Sequence, residues 1–232
     1  MGKPGKPPTW GPGAKSGVGT AIGPASCVWF TMAQGCITET FYPRPDLAQT
    51  RCVFLVVTDG AGFFSDERLD ASHTVRIPER AVPLFEVENL CRRNRYRISK
   101  TILTDPSRHA LLQRVRFERI SQADRLRLWI LLLPAIDNEA YGNAGTVDPR
   151  RNMLIAARGN FALAMTASCG FSRSGCYYQG PNDLWNRLKA GEAIDHLVNQ
   201  VNDGNVLVAG EIDCGKSAQG DERFQEPLNN WI

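Results

Sequence analysis

A chain of 232 residues, 43% of them hydrophobic, has the size and composition of one large globular domain or two small ones. Its formal net charge is only +3. This argues against a nucleic-acid partner, because dedicated nucleic-acid-binding domains are usually far more basic. No apolar run approaches the roughly 20 residues of a membrane span, so no membrane partner is expected.

The N-terminal sequence MGKPGKPPTWGPGAKSG contains no apolar core of a signal peptide. The seven cysteines form no CxxC pair, which favours reduced thiols over a disulfide such as Cys169–Cys176. These features predict a cytoplasmic protein, or a periplasmic or secreted one if a signal peptide has been removed.

Residues 1–24 are rich in Gly, Pro and Lys. Proline blocks a helix interior and glycine weakens it. We therefore expect an extended strap that lies on the surface of the protein, with Trp10 as its candidate anchor.

Short strand-like segments follow, separated by turn signals. They lie at 26–32, 51–57, 83–89, 96–102, 113–119, 127–134, 161–167 and 205–212. The segments at 83–89, 96–102 and 113–119 alternate apolar and polar residues, as antiparallel strands with one wet face do. The segments at 127–134 and 161–167 are more continuously apolar, which predicts deeper burial.

Only residues 182–203 have a helical pattern. Leu184 and Leu188 are four residues apart, and Gly191 offers a C-terminal stop. Apolar residues from 194 to 201 then recur at i, i+3, i+4 and i+7. Many short strands with one late helical insertion predict an all-β fold of two packed antiparallel sheets.

Residues 210–217, GEIDCGKS, formally match the phosphate-binding loop of nucleotide-binding enzymes. Such a loop needs a helix after it, whose amide groups face the phosphates. The following 15 residues contain Gly220 and Pro227 and lack an amphipathic stripe. Glu211 and Asp213 also place negative charge inside the loop. We therefore interpret the match as accidental and expect no nucleotide cofactor.

Other catalytic and metal-binding patterns are weak. His73, His109 and His196 share no ligand spacing, so no metal site or cofactor is predicted. There is no GxSxG motif for a nucleophilic serine. Paired carboxylates can hydrolyse glycosides, but the sequence does not single out a pair. The arginines in 91–97, CRRNRYR, are interpreted as a solvated face or a protein interface. No catalytic residue is predicted.

Several phrases nevertheless resemble one family. The matching segments, in the expected order, are 7–21, 28–46, 55–68, 96–112, 131–143 and 203–213. The second resembles a G-x-x-T-E-x-x-Y-P-R core, formed here by Gly35, Thr38, Glu39, Tyr42, Pro43 and Arg44. Over roughly residues 4–213, the chain resembles the N-terminal β-sandwich domain of bacterial and archaeal glucoamylases and glucodextranases of glycoside hydrolase family 15.

The resemblance implies a large two-sheet super-sandwich, similar to galactose mutarotase. In the family this domain packs on an (α/α)6 barrel that carries both catalytic glutamates, so no catalytic residue transfers to this chain. The implied function is a non-catalytic module whose partner is such a barrel, in the same chain or in another, with weak α-glucan binding as a second expectation.

Four side chains are candidates for carbohydrate or interface contacts: Trp10, Tyr42, Arg44 and Trp185. Aromatic faces stack on sugars, and arginine anchors interfaces. The alternative for Tyr42 is a place in the sandwich core, and for Trp185 it is helix packing. Two other functions stay open. One is a stand-alone glycosidase or mutarotase-like enzyme that uses acids on the sandwich surface; the other is a structural subunit that binds no sugar.

The predicted division is a strap at 1–24, a β-sandwich at 25–213 and a polar tail at 214–232. The chain departs from the family at 134–138, where PAIDN replaces PHLDN, and at 179–188, where QGPNDLWNRL replaces a Trp-containing loop. After Asp213 the family continues with an apolar strand. The polar tail here leaves open how completely the second sheet forms.

Overall fold

Antiparallel β-strands dominate the computed structural model, which describes residues 4–120, 125–212 and 228–231. The elements in chain order are β1 (Gly17–Thr20), β2 (Trp29–Ala33), β3 (Cys36–Phe41), β4 (Thr50–Thr58), β5 (Phe64–Asp66), α1 (Glu67–Asp70), β6 (Ala71–Arg76), β7 (Phe85–Cys91), β8 (Tyr96–Thr104), β9 (Leu111–Arg119), β10 (Arg127–Pro134), a 3-10 turn (Ile136–Asn138), β11 (Asn143–Asp148), β12 (Met153–Arg158), β13 (Phe161–Met165), β14 (Phe171–Tyr178), α2 (Leu184–Lys189), β15 (Gln200–Gly204), β16 (Val206–Ile212) and β17 (Leu228–Trp231).

The described strands form three sheets in two layers. One layer is a large sheet in the order β1-β2-β3-β4-β10-β16-β14, with β5 paired to part of β4. The other layer contains a five-stranded sheet, β17-β9-β8-β7-β6, and a four-stranded sheet, β13-β12-β11-β15. All the pairings between these strands are antiparallel. The prediction of an all-β antiparallel sandwich is confirmed, with the second layer divided into two sheets.

Both faces of the central strands β4 and β10 of the large sheet are buried. Its inner face packs on the second layer through residues such as Leu55 and Ile130. Its outer face, which carries Phe54 and Trp129, is covered in part by α2, whose Leu184 has no exposed surface. Burial on both faces explains why 127–134 is continuously apolar rather than alternating. The alternation predicted for 83–89, 96–102 and 113–119 is observed, with the apolar side chains facing inward.

The helical prediction for 182–203 is wrong beyond Lys189. Gly191, at φ +71°, follows the last turn of α2, and a left-handed glycine there commonly ends a helix. Val201 belongs to β15, which pairs with β11, and Ile194 packs on the outer face of the large sheet. Strand pairing therefore overrides a spacing that matched a helix.

Deep burial of 161–167 is also a wrong prediction. Its strand β13 lies at the edge of the four-stranded sheet. Ala162 and Ala164 are exposed, and the alternate side chains are only half-buried. An edge strand has one neighbour and less cover than its composition suggests.

Both predicted terminal segments contain paired backbone. Gly17–Thr20 of the strap pairs with β2, and Leu228–Trp231 of the tail pairs with β9. Residues 210–212 of the phosphate-loop match belong to β16, which is antiparallel to both its neighbours; residues 213–217 lie outside the described part. The domain boundaries themselves stay a prediction. Within the described residues, no helix has the length and apolar character required to cross a membrane.

Strand β4 has a gap along one edge, at Leu55. β3 pairs with β4 at Val53, and β5 pairs with it from Val56 onward. The carboxylate of Glu67, the first residue of α1, fills the gap by accepting a hydrogen bond from the Leu55 backbone N–H at 2.8 Å. Because a buried N–H needs a partner, this gap accounts for an acidic side chain in the core.

The same carboxylate joins the two layers. Lys100, on β8 of the five-stranded sheet, donates to Glu67 Oε1 at 2.6 Å and to the Gly35 carbonyl at 3.0 Å. Asn89, on β7, donates to Glu67 Oε2 at 2.7 Å and to the same carbonyl at 2.9 Å. Neither charged side chain has any exposed surface. The resulting polar network fixes the large sheet against the five-stranded sheet.

Candidate carbohydrate or interface site

Tyr42 and Arg44 lie in one loop, which connects β3 to β4. The Tyr42 N–H donates to the Leu47 carbonyl at 3.1 Å, and Gln49 Nε2 donates to the Tyr42 carbonyl at 2.6 Å. Arg44 forms a bidentate ion pair with Asp46, at 3.0 and 2.7 Å. Both partners are exposed, and the hydrogen bond from Arg44 lowers the pKa of Asp46. The loop thus combines an exposed ion pair, Arg44–Asp46, with an aromatic side chain, Tyr42.

A second loop supplies a ring that the sequence patterns did not single out. His109 is exposed and lies against Tyr42, with the ring centroids 5.1 Å apart. Its Nδ1 accepts a hydrogen bond from the Cys27 backbone N–H at 3.1 Å. Half-buried Tyr42 and exposed His109 together form an aromatic surface next to the β3–β4 loop.

Trp10 lies on the strap with 47% of its surface exposed. Its neighbour Gly11 packs so closely on β3 that an added Cβ would lie 3.1 Å from Thr38 Cγ2. Its other neighbour, Thr9, accepts a hydrogen bond from Arg51 at 3.2 Å. The residues on both sides of Trp10 are thus fixed against β3 and β4.

Arg51 anchors the strap from inside the fold. It is 1% exposed and occupies a bulge of β4, where Thr50 and Cys52 pair with successive residues of β10. Its guanidinium also donates to Asn205 Oδ1 at 2.6 Å. Asn205 in turn donates to the Lys6 carbonyl at 2.7 Å. Burial lowers the pKa of Arg51 to about 10. The acceptors around its guanidinium are neutral carbonyl and amide oxygens.

A second strap contact is ionic. Lys15 donates to Glu39 Oε2 at 2.6 Å, and Thr31 and Thr38 hydrogen-bond around the same carboxylate. Burial acts to raise the pKa of Glu39, but the hydrogen bonds from Lys15, Thr31 and Thr38 outweigh it and lower that pKa. The ionised carboxylate is therefore the form that the fold stabilises.

We expect Glu39→Gln to lower the free energy of unfolding by roughly 1 kcal/mol at pH 7, because a charge-assisted hydrogen bond is lost. A depressed carboxyl pKa stabilises the fold above the unfolded value and loses that contribution as pH falls through the folded value. The difference from the unaltered protein should therefore shrink below about pH 4. Thermal unfolding from pH 3 to 8 measures it. Glu88→Gln, at a half-exposed glutamate, should show little effect, and an equal effect there would contradict the assignment.

Trp185 lies apart from the other three candidates. Its indole N–H donates to Asp66 Oδ2 at 2.8 Å, and its ring packs edge-on against Phe64 with centroids 5.3 Å apart. Lys189 Nζ lies 4.9 Å from the ring centroid. Asp66 pairs with Val56 near one end of β4, whereas Tyr42 adjoins the Thr50 end. Six residues of strand separate those ends by roughly 20 Å.

No cluster of three or more His, Cys, Asp or Glu side chains with metal-binding geometry occurs among the described residues. We group four residues under the name Tyr42 surface: Tyr42 and His109, whose rings are in contact, Arg44 in the same loop as Tyr42, and Trp10 on the strap next to β3. It offers aromatic side chains together with an exposed ion pair, Arg44–Asp46.

The family model for glucodextranase domain N matches residues 1–224. The chain belongs to this family. A glucoamylase from Clostridium sp. (strain G0005) is 33% identical over 220 residues, which cover 93% of this chain and 31% of that protein. The crystal structure of a bacterial glucoamylase complexed with acarbose superposes with a TM-score of 0.88 at 30% identity, over 100% of this chain and 33% of that one.

This glucodextranase N domain thus spans about a third of the glucoamylases that it matches. The predicted resemblance to the N-terminal domain of glucoamylases and glucodextranases is confirmed. Of the candidate residues, Tyr42 and Arg44 share a loop and Trp10 lies on the strap next to β3. The sequence did not point to His109 or Arg51, because each acts through a partner distant in the chain.

Proposed function

We propose that this domain is a non-catalytic module that packs against an (α/α)6 catalytic barrel, in the same chain or in another, and that it binds α-glucan weakly. One observation carries the proposal: the family model spans nearly the whole chain, while the chain spans only 31% of its glucoamylase relative. We assign hydrolysis to a barrel in the part of such enzymes that lies outside the match.

The Tyr42 surface is the part of the domain best suited to these contacts. Trp10 is half-exposed, and the Tyr42 ring packs against that of His109, with the centroids 5.1 Å apart. Aromatic faces of this kind stack on the apolar faces of sugar rings. Trp185 suits the role less well, because Asp66 accepts its indole hydrogen and Lys189 lies over its ring.

The first experiment is an assay of glucose release from maltotetraose and isomaltotriose by the purified 232-residue chain. We expect no release above a buffer control, because the catalytic groups belong to the barrel. Release that co-purifies with the chain and disappears on replacement of a single acidic residue would refute the non-catalytic role. It would support instead a stand-alone carbohydrate-active enzyme.

Glucan binding is tested with maltoheptaose by calorimetry. Trp10→Ala should weaken binding about two- to tenfold, the value of one stacked aromatic ring. Tyr178→Ala is the matched control. Tyr178 is also an exposed aromatic residue, but it lies on β14, separated from β3 by three intervening strands of the large sheet. An equal loss of affinity in both variants, or no binding by the unaltered domain, would contradict the glucan-binding role. Packing against a barrel would then be the only part of the proposal that stands.

A further inference from the structure

Two buried cysteines face each other on adjacent strands of the large sheet. Cys36 begins β3 and Cys52 lies in β4, on either side of the paired residues Ile37 and Val53. Their sulfur atoms are 3.5 Å apart, and the residues are 1% and 6% exposed. A disulfide bond is about 2 Å long, so the two sulfurs need to approach by about 1.5 Å.

The two thiols are not equivalent. Arg68 Nη1 lies 3.7 Å from Cys52 Sγ, and Arg68 is fixed there by a bidentate ion pair with Asp66, at 2.9 and 2.6 Å. The guanidinium also lies 3.4 Å from the centre of the Phe54 ring. Cys36 Sγ donates to the Ala33 carbonyl at 3.3 Å. Arg68 therefore contacts Cys52 directly, whereas the two charges that act on Cys36, those of Glu67 and Lys100, have opposite effects on its pKa.

The electrostatics follow this asymmetry. The hydrogen bond with Cys36 and the charge of Arg68 lower the pKa of the Cys52 thiol. The hydrogen bond to Cys52, together with burial, raises the pKa of the Cys36 thiol. Thiolates rather than thiols are the nucleophiles in oxidation and exchange. Cys52 is thus suited to react first, and Cys36 is placed to resolve the product.

We propose that Cys36 and Cys52 form a redox-active dithiol that a hydroperoxide converts to an intramolecular disulfide. The Cys52 thiolate attacks one peroxide oxygen of hydrogen peroxide, the O–O bond breaks, and the products are a Cys52 sulfenic acid and hydroxide. The Cys36 sulfur then attacks Cys52 Sγ and releases its hydroxyl group, which leaves as water with the Cys36 proton. The hydroxide takes up the proton that Cys52 had lost. In total, two thiols and one peroxide give one disulfide and two waters.

The small size of the oxidant matters, because neither thiol is open to a bulky reagent. The two cysteines lie on the outer side of the large sheet, on the adjacent strands β3 and β4, and Arg68 of α1 contacts Cys52. These residues are different from those of the Tyr42 surface, and the inference does not depend on the proposed function.

The test uses the full chain, reduced and desalted, then treated with graded hydrogen peroxide under native conditions. Free thiols are alkylated after denaturation, and the mass and cross-linked peptides are measured. Before alkylation, the oxidised protein should be about 2 Da lighter than the reduced protein. The first disulfide formed should join Cys36 to Cys52, and dithiothreitol should reduce it again. Circular dichroism establishes that the oxidised protein is still folded.

Matched variants identify the roles. Cys36→Ser should abolish the cross-link and leave a Cys52 sulfenic acid, which dimedone traps once the oxidised protein is denatured in its presence. Cys52→Ser should abolish both products. Cys176→Ser, at another fully buried cysteine, should leave the cross-link unchanged. A first disulfide between other cysteines, or no disulfide before the fold is lost, would overturn the proposal. Peptide mapping of the unaltered chain decides this even if a serine variant does not fold.

Discussion

Replacing Lys100 by Met should lower the free energy of unfolding by about 3–5 kcal/mol, because it leaves the Glu67 carboxylate charged in the core without its cation. Lys100 also donates to the Gly35 carbonyl, so a second acceptor loses one of its donors. Urea unfolding of the variant and the unaltered chain measures the difference. The matched control is Arg97→Met, which removes a half-exposed cation that pairs with Glu88 and Glu118 on the outer side of the same sheet. That change should cost less than about 1 kcal/mol.

A double-mutant cycle separates the ion pair from the rest of the network. Glu67→Gln keeps an oxygen for the Leu55 N–H and removes the charge. The double variant Lys100→Met, Glu67→Gln should therefore be more stable than Lys100→Met alone, since no uncompensated charge is left in the core. If Lys100→Met costs no more than Arg97→Met, the pair does not hold the two layers together as the geometry indicates.

Lys100 also marks the limit of prediction from the sequence. The alternation of Tyr96, Ile98 and Ile102 predicts their shared inward face, and the same period places Lys100 on that face. The period does not reveal its partner. Glu67 lies 33 residues away in sequence and belongs to the other layer. Local pattern determines which way a side chain faces, whereas contacts between layers depend on how the sheets are stacked.

The candidate site also shows that a local motif can be recognised in the sequence, whereas a contact between distant residues cannot. Tyr42 and Arg44 could be chosen from the sequence because they belong to one short motif, and the structure places them in one loop. Trp185 was chosen on residue type alone, and its surroundings are set by Asp66, 119 residues away. The helical spacing from 194 to 201 was misleading for a related reason. Val201 pairs with Gly145 of β11, which lies far earlier in the chain, so no local sequence pattern could reveal the pairing.

Gly35→Ala should lower the free energy of unfolding by about 1–3 kcal/mol more than a glycine-to-alanine change that introduces backbone strain alone. Gln34 and Gly35 form the two-residue turn between β2 and β3, with φ of +51° and +69°. Such a turn requires positive φ at both positions. A Cβ on Gly35 would also overlap Asn89 Oδ1 and lie 2.5 Å from His73 Nδ1. The backbone strain costs about 1–2 kcal/mol, and the overlap adds an overpacking cost.

Gly159→Ala isolates the backbone term, because Gly159 has φ +56° and no atom within 4 Å of an added Cβ. Urea unfolding of the two variants should therefore give unequal losses, with the larger at Gly35. The difference reports how firmly Asn89 is held, since its amide donates both to Glu67 and to the Gly35 carbonyl. Equal losses would mean that Asn89 and His73 move aside without cost. The polar network would then be a loose contact between the layers rather than the element that fixes their relative position.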